Sequence, residues 1–174
     1  MVISNLLKKI SVRLVEDAPI LSKEKLDCPE AVIRCIGDYI RDFDREVVCI
    51  GFLKADGTAI ACSIVSMGSL VEATIHPREV FKAAFLANAH CMVMVHNHPS
   101  GNVHPSKTDT ILTDRMIQAC TLMGIPLVDH IIVGGDSYFS FKEKHLMDDP
   151  PGLTLESDYE KLTFPETKVS ERKR

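Results

Sequence analysis

Apolar and polar positions along the chain fall into blocks whose periods alternate between strand and helix. Val47-Val-Cys-Ile-Gly-Phe-Leu53 and Cys91-Met-Val-Met-Val95 are unbroken apolar runs, the pattern of strands buried on both faces. Residues 46–53 and 59–66 predict a hairpin about Lys54-Ala-Asp-Gly57, since Asp-Gly accepts the backbone angles of a tight turn. Asp27 as cap with Pro29 at the first helical position predicts a helix to about Arg41, with Val32, Ile36, Tyr39 and Ile40 as its apolar stripe. Pro77 starts a second helix, with Val80, Phe81, Ala84 and Phe85 at helical spacing. Ser106-Lys-Thr-Asp109 has the form of a capping box. The helix it opens should bury Ile111, Leu112, Met116, Ala119 and Leu122 and stop at Gly124, with Pro126 beyond. Residues 127–133 and 138–141, joined through Gly134-Gly135-Asp136, complete the sheet, and residues 11–16 fit an edge strand. The order is α/β: a central sheet flanked by helices, without internal repeats.

The third strand carries the chemistry. His96-Asn97-His98-Pro99 emerges where the apolar run leaves the core. Residues two apart in extended chain project to one side, and Pro99 keeps His98 out of the right-handed helical region. Both imidazoles can then share one ion, and Asn97 points the other way, where it is free to bond backbone groups and stiffen the turn. Asp109, in the first turn of the next helix, adds a carboxylate. Two histidines, one carboxylate and an open fourth position make a catalytic zinc arrangement, whereas a structural site closes with four protein ligands, more often thiolates. A base is needed to take a proton from water, and Glu46 at the head of a central strand is the candidate. A charged residue there is also an ordinary solvated boundary. Glu72 and Glu79 are rival carboxylates; Glu79 reads as an acidic first-turn residue after Pro77, and Glu72 as a loop residue.

Asp129 and His130 lie inside an apolar strand, so burial requires that they be hydrogen-bonded. They fit a satisfied core pair, support behind a metal ligand, or direct catalytic groups. His104, in the loop between ligands, is better read as solvated than as a ligand. Met116 and Met123 read as core filler.

Composition limits the remaining choices. A chain of 174 residues with 45% hydrophobic content supports one domain with tails. Cys28, Cys35, Cys49, Cys62, Cys91 and Cys120 have neither metal-ligand nor disulfide-framework spacing and read as reduced core residues. The sequence shows no signal peptide and no apolar stretch approaching ~18 residues, which points to a cytoplasmic, membrane-free protein. A net charge of −4 argues against strong nonspecific nucleic-acid binding, although Ser170-Glu-Arg-Lys-Arg174 is a small basic end. Asp148-Asp-Pro-Pro-Gly152 breaks the pattern, so residues 144–174 read as a weakly ordered tail and residues 1–24 as an N-terminal extension to a domain at 25–143.

The pattern His96-x-His98-Pro99 followed by Ser106-x-x-Asp109 resembles the zinc motif of the JAMM (MPN+/JAB) metalloproteases. His96-Asn-His-Pro-Ser-Gly101, His76-Pro-Arg-Glu-Val-Phe81 and Asp129-His-Ile-Ile-Val-Gly134 resemble segments of its RadC branch. The resemblance covers residues 25–143 and implies a JAB/MPN-like, cytidine-deaminase-like mixed sheet with one zinc ion at a strand end. It implies zinc ligation by His96, His98 and Asp109, oxyanion stabilisation by Ser106 and general-base chemistry by Glu46, on an amide or isopeptide bond of a protein or peptide substrate. RadC-type proteins commonly carry an N-terminal helix-hairpin-helix-like region. This chain begins too close to the domain to contain one, which implies a short form and weakens direct DNA binding.

Two other classes compete with the hydrolase. One is a noncatalytic interaction module associated with DNA repair or mobile elements, disfavoured because a scaffold has no use for ligands, base and oxyanion donor together. The other is a purely structural zinc site. The letters His-Asn-His do not make an HNH nuclease, whose named residues are dispersed along a different fold. A metal-dependent barrel hydrolase needs ~250 residues. No Gly-rich phosphate loop and no Cys-x-x-Cys pair supports nucleotide or redox chemistry.

Overall fold

Among the described residues, five strands form one mixed sheet. The computed structural model describes residues 24–68 and 75–147, together with Ser11 and Arg13. The expected edge strand at 11–16 is covered only at those two positions, and Glu72 and the tail beyond residue 147 lie outside the described residues. The strands are β1 (Val47–Leu53), β2 (Ala59–Met67), β3 (Cys91–Asn97), β4 (Leu127–Gly134) and β5 (Ser137–Ser140). β1 pairs antiparallel with β2 and β3, β3 pairs parallel with β4, and β4 pairs antiparallel with β5. The β1–β2 turn is the expected one, with Gly57 at φ +82° and the Gly57 N–H donating to Lys54 O. The parallel β3–β4 pair requires a crossover, and helix α4 (Lys107–Met123) supplies it.

The strands alternate between two cores. Val47, Cys49, Leu53, Val93, Val95, Ile131 and Val133 face the first helix, whereas Val48, Ile50, Phe52, Met92 and Met94 face helix α3 (Pro77–Leu86) and α4. The same alternation decides the site: continued past Met94, it sends His96 to the α3/α4 side, returns Asn97 to the other and brings His98 back.

The first helix departs from its expected form in two ways. Cys28, not Asp27, is the N-cap, in extended conformation without a side-chain cap bond. The Leu26 N–H donates to Gly57 O, holding residues 26 and 27 along the hairpin turn, and the helix still begins at Pro29 as expected. It also changes pitch: α1 (Pro29–Val32) passes into a π-helical segment (Ile33–Gly37) and then α2 (Asp38–Ile40). The wider turn lengthens the apolar repeat to Val32, Ile36 and Ile40 and turns Tyr39 out to 48% exposure.

Phe85, expected in the core, is exposed and lies over the outer side of Phe81, ring centroids 5.8 Å apart. Helix α4 buries Thr113, Met116 and Cys120. Leu112 and Ala119 are partly buried, but Ile111, Leu122 and Met123 are exposed. An apolar stripe alone misplaces this face because a polar residue, Thr113, occupies its centre. All six cysteines are free; Cys28 is exposed rather than buried. Among the described residues, no helix is long and apolar enough to cross a membrane.

Candidate metal centre

Helix α4 meets the C-terminal end of β3. His96 and His98 project to one side, ring centroids 4.7 Å apart, and helix α4 brings Asp109 to them. The His96 and His98 Nε2 atoms are 2.8 Å apart. Asp109 Oδ1 lies 3.4 Å from His96 Nε2, and Oδ2 lies 3.5 Å from His98 Nε2. Among the described residues this is the one group of three or more His, Cys, Asp or Glu side chains placed to hold a metal ion.

Two imidazole nitrogens and a carboxylate can together hold a metal ion. Ligands at about 2.0–2.2 Å in a tetrahedron stand roughly 3.3–3.6 Å apart, the spacing of both nitrogen–oxygen pairs. The two nitrogens, at 2.8 Å, stand closer than that spacing. His98 Nδ1 lies 2.6 Å from the backbone carbonyl of Asn102. A carbonyl only accepts, so the proton sits on Nδ1 and Nε2 presents its lone pair to the site.

The helix start positions Asp109. Ser106 is the N-cap; its hydroxyl accepts the Asp109 N–H at 3.2 Å, and the Asp109 carboxylate accepts the Ser106 N–H at 2.7 Å. The expected capping box is therefore present, and the first-turn geometry that completes it also delivers the carboxylate to the histidines. The Ser106 hydroxyl accepts in that bond, which leaves its own proton unused by the cap.

Asn97 is fully buried on the opposite face. It bonds backbone as expected, though not in the turn that follows: its Oδ1 accepts the Val47 N–H at 2.7 Å, and Nδ2 donates to Phe43 O at 3.2 Å and Arg45 O at 3.1 Å. These bonds clamp the backbone on both sides of Glu46. Continuing the antiparallel register from Val48↔His96 sets Glu46 across from His98. Glu46 is half-buried there.

Electrostatics follow from burial and from the Asp109 carboxylate. Burial lowers the His96 pKa to about 4 and depresses that of His130 well below the ordinary value, so both rings are neutral. The His98 pKa is raised, first by its hydrogen bond to Asp109, with Glu46 adding a smaller pull. Burial alone would raise the Asp109 carboxyl; His98, His96 and Ser106 together outweigh it and hold the group well below the usual carboxylate range.

One prediction follows for the metal-free protein. The unfolded chain protonates His96 and His130 near pH 6.5, whereas the folded chain keeps His96 neutral to about 4. Unfolding therefore takes up protons, and stability falls as pH drops through that window, by up to about 1.4 kcal/mol per pH unit for each ring. The His98 shift has the opposite sign, and its contribution is complete below pH 6.5; Asp129, raised by burial, opposes the fall only toward the acid end. Urea titrations in chelator at pH 6.5, 5.5 and 4.5 read the slope, and a flat profile would mean that the rings titrate freely.

The sequence profile described as RadC-like JAB domain matches residues 26–146. The chain belongs to the RadC-like JAB domain family. Similar proteins include a "UPF0758 protein" of Desulforamulus reducens, 41% identical over 120 residues covering 69% of this chain and 53% of the relative. A "UPF0758 protein" of Actinobacillus pleuropneumoniae serotype 5b is 38% identical over 122 residues, 70% and 56% of the two chains. One from Pelodictyon phaeoclathratiforme is 40% identical over 124 residues, 71% and 56%. The chain spans about half the length of the curated relatives it matches, and their names carry no activity. The five-stranded mixed sheet flanked by helices agrees with the JAB/MPN-like fold of the RadC-like JAB domain.

The remaining residues singled out in the sequence are placed as follows. Glu79 sits in the first turn of α3, as expected, bound to Lys82 at 2.6 Å and lining a separate groove with Ser63, Val65 and Leu86. His104 is exposed and outside the metal-binding group. Asp129 is satisfied: its carboxylate accepts from the His130 N–H, the Lys142 N–H and the Ser140 hydroxyl. It thereby fixes the chain that leads into Phe141. His130 is also fully bonded, to His96 and to Thr113. Thr113 is not legible in the sequence, since a threonine one turn beyond Asp109 carries no local sign that a strand histidine will meet it.

Proposed function

We propose that this RadC-like JAB domain is a zinc-dependent metallohydrolase resembling JAMM peptidases, which cleaves an amide or isopeptide bond in a protein or peptide substrate. The observation that carries this reading is the convergence of two imidazole Nε2 atoms and one carboxylate beside a second, half-buried carboxylate whose charge reaches His98. His96, His98 and Asp109 would hold the ion. Bound zinc supplies a Lewis acid and lowers the pKa of a coordinated water to about 7.

The chain's own groups divide the remaining work. The Glu46 carboxylate accepts the proton of the attacking water and returns it to the leaving amine nitrogen. The Ser106 hydroxyl, whose oxygen already caps α4, donates its proton to the carbonyl oxygen as negative charge develops there. Asn97 holds Glu46 in place from behind β1.

Metal content per chain, by plasma mass spectrometry on the wild type and His98→Ala, tests the site. Near-stoichiometric zinc in the wild type, lost in the variant, is the expected result and justifies a peptide and isopeptide substrate screen. A wild type without zinc after reconstitution would sink the hydrolase reading and favour the noncatalytic interaction module.

A further inference from the structure

The proton of each ring behind the candidate ligands can be placed from hydrogen-bond geometry, starting at one backbone carbonyl. The Thr113 hydroxyl oxygen lies 2.7 Å from Asp109 O. Two oxygens at that distance need a proton between them, and a peptide carbonyl has none, so the hydroxyl donates. Its single proton is then committed. His130 Nδ1 lies 2.7 Å from the same Thr113 oxygen and must be the donor in that contact. A neutral ring carries one N–H, which leaves His130 Nε2 bare. His96 Nδ1, 2.8 Å away, therefore donates to it. His96 in turn has a bare Nε2, the atom that faces Asp109 and His98.

We infer that His130 is a positioning residue for the metal: it receives the His96 Nδ1 proton and so presents the His96 Nε2 lone pair to the ion, with Thr113 setting the direction of the chain. The inference rests on the proposed zinc site. Burial isolates the relay from competing water, since His96, Thr113 and His130 are all 2% exposed or less. Ring rotation of His130 is blocked by Phe141, stacked at 4.7 Å and 7° between planes. Phe141 is itself tied down, its N–H donating to His130 O beside the Asp129 cluster. The relay begins and ends on candidate ligands, joining the His96 side chain on β3 to the Asp109 backbone on α4. A buried histidine serving only as core filler would need neither this direction nor this closure.

The test uses the full chain, ¹⁵N-labelled and stripped of metal, in long-range proton–nitrogen NMR, which reports the protonated nitrogen of each imidazole. The expected result is Nδ1–H for His96 and His130. His96 protonated on Nε2 in the wild type overturns the inference without any variant. Thr113→Val cannot accept from His130 Nδ1–H; it should change the His130 and His96 tautomers and weaken zinc binding about 10–100-fold, read by competition with a chromophoric chelator. Thr113→Ser should restore both. Wild-type zinc binding with Thr113→Val unchanged in tautomers and affinity overturns the role of His130 alone. A wild type that binds no zinc overturns the proposed function, and the positioning role with it.

Discussion

Glu46→Gln will keep its zinc and lose about 10²–10⁴-fold of the hydrolytic rate on a peptide substrate. Glutamine preserves the size and most hydrogen bonding of the side chain but cannot accept a proton, so kcat should fall with KM nearly unchanged. The expectation rests on position. Glu46 immediately precedes β1, and the register of β1 against β3 sets it across from His98. Its charge is felt at that ring, after the larger contribution of Asp109. An unaltered rate in a variant with full zinc occupancy would remove Glu46 from the mechanism and reduce it to a solvated strand boundary.

Asn97→Leu will destabilise the fold by about 2–4 kcal/mol without emptying the metal site. Leucine fills similar space but leaves the buried Val47 N–H unpaired, at about 1–3 kcal/mol, and gives up two further bonds to Phe43 and Arg45 carbonyls that water can partly replace. Because His96 and His98 project from the other face of β3, zinc content should stay near the wild-type level. Glu46 loses the clamp on both flanking peptides, so kcat should also fall. Urea unfolding, metal analysis and kinetics on one preparation separate the three effects. Wild-type stability would show that the clamp is dispensable, and loss of zinc would show that the two faces of β3 are not independent.

The candidate site was legible wherever its geometry is local. A His-x-His pair in extended chain before proline has few alternatives, and Ser106-x-x-Asp109 specifies a helix start on its own. The sheet was legible for the same reason: its strands are apolar runs bounded by turn residues, and Asp56-Gly57 marks the hairpin. Helix faces were read less well. The π-helical turn at Ile33–Gly37 changes the repeat from within, and Tyr39, inward by regular helical spacing, faces out. On α4 the polar Thr113 faces inward to His130, whereas Ile111 and Leu122, apolar positions that the pattern places in the core, face out. The relay behind His96 was illegible because its bonds join residues 34 and 17 positions apart, which no spacing rule connects.

Asp109 has two duties, since one carboxylate closes the first turn of α4 and faces both histidines. Natural selection therefore has two reasons to keep it, and only one concerns chemistry. A relative without any hydrolytic activity would still be penalised in folding for losing Asp109 or the Ser106 cap. Glu46 has no part in that cap. An intact aspartate is therefore weak testimony to a working enzyme, and the carboxylate just before β1 is the better witness.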